Sequence, residues 1–284
     1  TSDNWITTGT KGAILESRDQ GRTWQKATTQ GQENDYFLSI VQDKKSGNVI
    51  IAGPPGTILL AKPNDTQWRA RLALGDANQG YFHRVVSNDK GTIIAIAGPG
   101  QTHYSHDAGE SWNTANIDNS KQLFAAIYDQ YHQQFVAVGQ EGIIQLSPDG
   151  KQWTIINSGV THSLQTIYAT KNTLWAAGDK GVLIQSTDGG KSWQDTNTGS
   201  HATILALFET LDNSLLATGT QGYIARRDTQ KQWQQIHAPT HASLRMPGQD
   251  EDTGFIYIPG KNGEIIYSKD DGLNWNLLPP ITRG

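Results

Sequence analysis

The sequence predicts an all-β fold, a seven-bladed β-propeller with four antiparallel strands per blade. The first observation is a tryptophan that recurs in steps of 44, 44, 41, 40, 40 and 42 residues. The second is a glycine pair, usually Gly-x-x-Gly, that precedes each of these tryptophans by 14 or 15 residues. The third is the absence of any sustained helical period. We expect one domain over residues 1–284, with blade cores ending near Trp24, Trp68, Trp112, Trp153, Trp193, Trp233 and Trp275.

The tryptophan closes a short box whose fullest copy is Ser186–Trp193, with the pattern Ser-x-Asp-x-Gly-x-Ser-Trp. Its Ser and Asp are suited to bond nearby backbone N–H groups, and its Gly to supply a positive φ. We therefore interpret the box as a structural turn and not as a binding site. The box residues are Ser17, Asp19, Gly21, Trp24, Ser105, Asp107, Gly109, Trp112, Asp149, Trp153, Ser186, Asp188, Gly190, Trp193, Asp228, Trp233, Ser268, Asp270, Gly272 and Trp275.

Each repeat contains four short apolar runs, which we interpret as strands. Two of them flank the glycine pair and predict a hairpin. A third lies further upstream and predicts the inner strand of the blade; these runs are 37–41, 82–86, 123–128, 164–168, 204–208 and, more weakly, 244–246. The fourth begins at the tryptophan.

Blade 1 is expected to lack its inner strand, because Trp5–Thr8 corresponds to the second strand of the other blades. Residues upstream of Thr1 would supply the missing strand. The alternative is that residues 281–283 supply it.

Composition narrows the classes of function. The formal net charge of −4 does not indicate a nucleic-acid-binding surface. The chain has no cysteine, which rules out disulfides and thiolate metal sites and is compatible with an oxidising compartment. No window is long and apolar enough to span a membrane, and residues 1–5 do not form a signal peptide, so we expect the signal peptide to be missing from this chain.

The boxes look like Asp-boxes, also called bacterial neuraminidase repeats. In residues 175–193 an apolar run ends in Ala-Ala-Gly, and x-x-Gly and then the complete box follow it. This combined pattern resembles the photosystem II assembly/stability factor family of seven-bladed propellers, and the similarity extends over all seven repeats. The resemblance implies a partner in a membrane-protein complex and a place outside the cytoplasm, the thylakoid lumen in a phototroph or otherwise the periplasm.

Asp-boxes also occur in sialidases and other glycosidases, so a carbohydrate-active propeller, hydrolase or lectin, is the alternative. A sialidase would need three arginines around a substrate carboxylate, and only Arg84 and Arg245 fall on predicted inner strands. A general glycosidase needs two facing carboxylates, for which Glu209 and, more loosely, Asp129 are the candidates. We expect no catalytic residue, cofactor or metal site, and we interpret the histidines, including His103 and His106, as surface residues.

Two arginines depart from the repeat. The residue before the central apolar position of the inner strand is Ser39, Ala126, Thr166 or Ala206 in four blades, but Arg84 in blade 3 and Arg245 in blade 7. Positions that break a repeat's local rule are where function is expected. We therefore predict that Arg84 and Arg245 bind an acidic or carboxylate-bearing partner, assisted by Tyr81 and His83. The alternative is a channel plugged by arginine paired with an acid such as Glu209.

Overall fold

The computed structural model describes residues 5–9, 11–29, 36–53, 56–63, 65, 67–74, 82–98, 101–118, 120–196 and 198–279. Every regular element in these ranges is a β-strand or a short 3₁₀ turn, which confirms the all-β seven-bladed propeller. The chain divides into two compact units, the first made of residues 1–137 and 145–155 and the second of 138–144 and 156–284. The single domain expected over residues 1–284 remains a prediction.

The first unit holds blades 1 to 3 and most of blade 4. Blade 1 has three described strands, as predicted, while residues 281–283 lie outside the described residues. Each blade is an antiparallel meander, and a short strand, β4, runs parallel to β8 at the outer edge of blade 2. The strands are β1 (Trp5–Thr8), β2 (Ile14–Ser17), β3 (Gln25–Lys26), β4 (Thr28–Thr29), β5 (Ser39–Gln42), β6 (Val49–Gly53), β7 (Thr57–Ala61), β8 (Gln67–Ala73), β9 (Phe82–Ser87), β10 (Ile93–Ala97), β11 (Gln101–Ser105), β12 (Asn113–Thr114), β13 (Leu123–Asp129), β14 (Gln134–Gly139), β15 (Ile144–Ser147) and β16 (Thr154–Ile156).

The second unit holds blades 5 to 7 and the β14–β15 turn of blade 4. Its strands are β17 (Leu164–Thr170), β18 (Thr173–Gly178), β19 (Leu183–Ser186), β20 (Gln194–Asp195), β21 (Ile204–Glu209), β22 (Leu215–Gly219), β23 (Ile224–Arg227), β24 (Trp233–Ile236), β25 (Gly248–Gln249), β26 (Ile256–Pro259), β27 (Ile265–Ser268) and β28 (Asn276–Leu277). Four glycine pairs enclose 3₁₀ turns, at Gln140–Gly142, Asp179–Gly181, Thr220–Gly222 and Lys261–Gly263. The hairpins predicted at these pairs are therefore confirmed.

The hydrophobic core lies between successive blades of each unit. In blade 2, Ile50 and Ala52 pack towards Phe82 of blade 3, whereas Ile51 packs in a cluster with Ile14 of blade 1. Both faces of the strand are thus covered, which explains why the apolar runs are continuous and not alternating. The second unit repeats this arrangement between blades 5 and 6 and between blades 6 and 7.

The boxes form closed hydrogen-bonded turns. In blade 5 the Ser186 hydroxyl donates to Asp188 Oδ1 at 2.7 Å and accepts the Gly190 N–H at 2.8 Å. The Asp188 carboxylate also accepts the N–H and hydroxyl of Ser192, and the Trp193 indole donates to the Gly190 carbonyl at 3.0 Å. Gly190 has a φ of +85°, a value that only glycine adopts readily, as predicted. Blades 1, 3 and 7 have the same pattern of bonds around Asp19, Asp107 and Asp270.

Three boxes depart from the pattern to different degrees. The box of blade 4 is one residue shorter, yet Ser147 still accepts the Gly150 N–H and Trp153 still donates to the Gly150 carbonyl. In blade 2 the Trp68 indole donates to Glu16 of blade 1 at 3.1 Å. In blade 6 the buried Trp233 indole nitrogen has no partner among the described residues. The indole thus has another hydrogen-bond partner in blade 2, whereas the described residues offer none in blade 6.

Candidate functional site

Arg84 lies near the beginning of β9, at the end of blade 3 that carries the connector from blade 2. Phe82 pairs with Ala97 and Arg84 with Ile96, so His83 is the extra residue of a β-bulge. Blades 5 and 6 have the same bulge, and there Thr166 and Ala206 occupy the place of Arg84. In blade 4 the burial pattern matches when Ala125 takes this place, so the sequence alignment at Ala126 was wrong by one residue.

The small residues at this position bring neighbouring inner strands together. In blade 2 the Ser39 hydroxyl accepts the backbone N–H of Val85 on the next inner strand at 3.0 Å. Arg84 replaces this small group with a long cation.

The Arg84 guanidinium is partly buried, and this burial lowers its pKa from the ordinary value. Among the described residues of its unit, no carboxylate forms an ion pair with it. Other arginines differ in this respect, since Arg71 pairs with Glu110 at 2.9 Å and Arg226 pairs with Asp212 at 2.5 Å. Arg84 is therefore a partly desolvated cation whose burial no carboxylate compensates among the described residues of the first unit.

His83 lies beside Arg84 and is tied to its own surroundings. Its Nε2 lies 2.9 Å from Nε2 of Gln122, and burial lowers the pKa of the imidazole. Gly98 leaves room for this contact, because a Cβ there would lie 2.8 Å from His83 Nε2. His83 is thus oriented by Gln122, while Tyr81 lies outside the described residues.

Arg245 does not lie on an inner strand, contrary to the sequence prediction. The inner strand of blade 7 is β25, and Leu244 forms only an isolated bridge to Gly260. Pro247 offers no N–H to continue the pairing, so the ladder restarts after it. The Arg245 side chain is exposed, and its backbone is bonded to Pro259 and to the Thr218 hydroxyl at 2.9 and 3.0 Å. Arg84 belongs to the first unit and Arg245 to the second, and their joint action remains a prediction.

The two carboxylates considered for glycoside hydrolysis have different environments. Asp129 is buried and accepts hydrogen bonds from the Tyr131 N–H and from His132, whose Nδ1 lies at 2.7 Å. Glu209 is partly buried, and burial raises its pKa. Asp129 therefore forms its hydrogen bonds within its own turn, whereas Glu209 has the raised pKa expected of a general acid in a glycosidase.

His103 is buried, so its interpretation as a surface residue was wrong. It lies on β11, which is covered on both sides, and its ring packs edge-on against Phe82 with centroids 5.7 Å apart. His106 is exposed, as predicted, with Nε2 2.9 Å from the Asp149 carbonyl. Within the described ranges, no three His, Cys, Asp or Glu side chains are grouped to hold a metal.

A groove of about 480 Å³ lies within the second unit, at the connector end of blade 6. Three exposed histidines, His201, His237 and His241, are among its lining residues. From the sequence these histidines were interpreted as surface residues and not as part of a site. One signal could have found two of them, since His201 and His241 occupy the same place in successive connectors. The lining residues are Ser200, His201, Ala202, Thr220, Gln221, Gly222, Tyr223, Gln235, Ile236, His237, Ala238, Thr240 and His241.

Family models match the chain in two overlapping segments. The model described as photosynthesis system II assembly factor YCF48 matches residues 1–167. The model of a DUF6242 β-propeller domain matches residues 140–250. No curated protein sequence matches the chain.

Solved structures with the same fold include two of YCF48. YCF48 bound to D1 peptide is 17% identical over 93% of this chain and 89% of that chain, with a TM-score of 0.71. YCF48 from Cyanidioschyzon merolae is 14% identical over 86% of this chain and 85% of that chain, with a TM-score of 0.66. An ancestral GH74 enzyme is 13% identical with a TM-score of 0.69, and the match covers 97% of this chain but 44% of the enzyme. At these identities the likenesses show the fold alone. In the part of the chain that the structure describes, no helix has the length and apolar character to cross a membrane.

Proposed function

The chain belongs to the photosynthesis system II assembly factor YCF48 family, and on that premise we propose that it is a non-enzymatic propeller that binds a protein partner and assists the assembly or stability of a membrane-protein complex. One YCF48 structure contains a D1 peptide, so a propeller of this kind takes a peptide of a protein partner. The partner of this chain is proposed to be a membrane protein or its extracytoplasmic segment.

The proposal rests on the environment of Arg84. A partly buried guanidinium that pairs with no carboxylate among the described residues of its unit is costly in the free chain, and an incoming carboxylate would offset that cost with charge-assisted hydrogen bonds. His83 assists by fixing the bulge that sets the position of Arg84. Arg245 and Tyr81 stay in the proposal as further partner-binding residues.

The proposal assigns the boxes a structural role only. In the complete boxes, such as Ser186–Trp193, the polar groups bond within their own turn and so are not free to bind a ligand. We place the protein outside the cytoplasm, in the periplasm or in the thylakoid lumen of a phototroph, in keeping with its lack of cysteine.

Affinity purification from the native host tests the proposal. The tagged chain and its Arg84→Ala and Arg69→Ala variants would be recovered from detergent-solubilised membranes, and co-purifying proteins quantified by mass spectrometry. Arg69 is a matched control, because it is an exposed arginine in the same unit. We expect Arg84→Ala to lower recovery of the membrane partner at least about tenfold, as loss of a buried interface charge does, and Arg69→Ala to change it less than about twofold.

Two results would contradict the proposal. One is recovery of the membrane partner with the Arg84→Ala variant in the same amount as with the parent chain. The other is turnover of sialosides or β-glucans that is lost in Glu209→Gln, which would establish the carbohydrate-active alternative.

A further inference from the structure

The groove in the second unit has a lining suited to an acidic ligand. Three exposed imidazoles supply N–H donors, and Ser200, Thr220 and Gln235 supply further hydrogen-bonding groups. None of the lining residues is acidic. The carboxylate of Glu264, which is not a lining residue, accepts the hydroxyl of Thr240.

Two of the three histidines lie at the tips of hydrogen-bonded turns. The Ser200 hydroxyl accepts the Ala202 N–H at 3.0 Å, and the Thr240 hydroxyl accepts the Ala242 N–H at 3.0 Å. In each turn the residue between the bonded pair is a histidine, His201 or His241, so its side chain projects outwards and is exposed. The turn chemistry therefore presents both imidazoles at the rim of the groove.

The backbone around these turns is fixed by close contacts. Gly222 donates its N–H to the Ala242 carbonyl at 2.9 Å, and Thr220 donates to the Thr203 carbonyl at 3.0 Å. A Cβ on Gly222 would lie 2.0 Å from the Thr240 carbonyl oxygen, so the connector rests directly on the 3₁₀ turn. The groove is thus formed before any ligand arrives, which lowers the entropic cost of binding.

Arg245 extends this surface along the chain. It follows His241 by four residues, its side chain is exposed, and its backbone is tied to Pro259 and Thr218. Among the described residues of its unit, no carboxylate forms an ion pair with Arg245. A segment leaving the groove along the connector would meet this guanidinium.

We propose that the groove lined by His201, His237 and His241 binds a carboxylate-bearing, extended peptide segment of a protein partner, with Arg245 as a flanking cation. The volume of about 480 Å³ lies in the range typical of ligand sites and admits a few peptide residues. This site belongs to the second unit and does not rest on Arg84. A failure of the Arg84 experiment therefore leaves it standing.

Peptide binding to the purified chain tests the site. The probe is fluorescein-labelled hexaglutamate, with hexaglutamine as the uncharged comparison, and fluorescence anisotropy gives the Kd. We expect His201→Gln/His237→Gln/His241→Gln to raise the Kd at least about tenfold and Arg245→Ala about threefold. The matched control is His162→Gln, an exposed histidine in the preceding connector but outside the groove, and it should change the Kd less than about twofold.

Amide NMR spectra locate the bound peptide. Hexaglutamate should shift the signals of residues 200–202, 220–223 and 235–241. The proposal is overturned if hexaglutamate does not bind, if hexaglutamine binds equally well, if the triple variant keeps the parent's Kd, or if the shifts lie elsewhere. Should the triple variant fail to fold, single glutamine substitutions at the exposed His237 and His241 give the same reading.

Discussion

The box of blade 5 and the beginning of β9 in blade 3 are both polar features of a blade, and they differ in how their polar groups are satisfied. In the box, Ser186, Asp188 and Trp193 all bond within the same turn. On β9, Arg84 is partly buried and has no carboxylate partner among the described residues of its unit. The box recurs in other blades, whereas Arg84 replaces residues that are small in its structural equivalents.

This difference separates architecture from function. A repeated polar group that is fully bonded within its turn stabilises the fold and leaves nothing for a ligand. A single charged group without compensation costs free energy in the isolated chain, so a binding role gives a reason for its presence. The two regions should therefore respond in opposite ways to substitution.

Substitution should destabilise the chain most at the glycines whose backbone packs against the connector to the next blade. Gly181 has a φ of +74°, and a Cβ there would lie 1.9 Å from the Ser200 carbonyl oxygen. We expect Gly181→Ala to lower the free energy of unfolding by more than about 3 kcal/mol, measured by urea unfolding. Gly199 is the control, since its φ is +70° but nothing lies within 4 Å, so Gly199→Ala should cost about 1 kcal/mol. Equal losses in the two variants would show that the φ alone matters and not the contact.

Ser186→Ala should have the next largest effect. Ser186 is 2% exposed, and its hydroxyl accepts the Gly190 N–H, which the substitution would leave buried without a partner. We expect a loss of about 2 kcal/mol in the free energy of unfolding. Ser192→Ala is the control, because this exposed hydroxyl only donates to Asp188 and should contribute about 0.5 kcal/mol. A Ser186 effect no greater than that of Ser192 would mean that the box does not stabilise the blade through its buried hydroxyl.

The carboxylate of the box should make stability depend on pH. Hydrogen bonds from the Ser192 hydroxyl, the Ser192 N–H and the Ser186 hydroxyl lower the pKa of Asp188 to about 2. The pKa of Asp188 is lower in the folded state than in the unfolded state. The contribution of its ionised carboxylate to the free energy of unfolding is therefore present above about pH 4 and is lost as the pH falls towards about 2. The difference in urea midpoint between the parent and Asp188→Asn should therefore shrink between about pH 6 and about pH 3. A difference that stays constant over this interval would show that the charge of Asp188 does not matter.

Local chemistry explains what could be predicted from the sequence. The box turn, its positive-φ glycines and the hairpins at the glycine pairs depend on neighbouring residues, so their pattern is visible in one repeat and is repeated in others. Arg245 could not be placed correctly, because the pairing of β25 is interrupted at Pro247 and depends on β26. His103 was misplaced because its burial comes from packing against Phe82 of another strand. The groove brings together three separate segments of the chain, and sequence spacing shows only that His201 and His241 occupy the same place in successive connectors, not that His237 joins them.

The smallest effect on stability, and the one with opposite sign, is expected at Arg84. Methionine has a similar length and no charge to desolvate, so Arg84→Met should raise the free energy of unfolding by up to about 1 kcal/mol. The same variant should recover less of the membrane partner than the parent, in the purification described above. Arg226→Met is the contrasting case, since it removes the ion pair with Asp212 and should destabilise the chain. A destabilised Arg84→Met variant would mean that the guanidinium is compensated in the free chain, and the contrast between the box and β9 would then be lost.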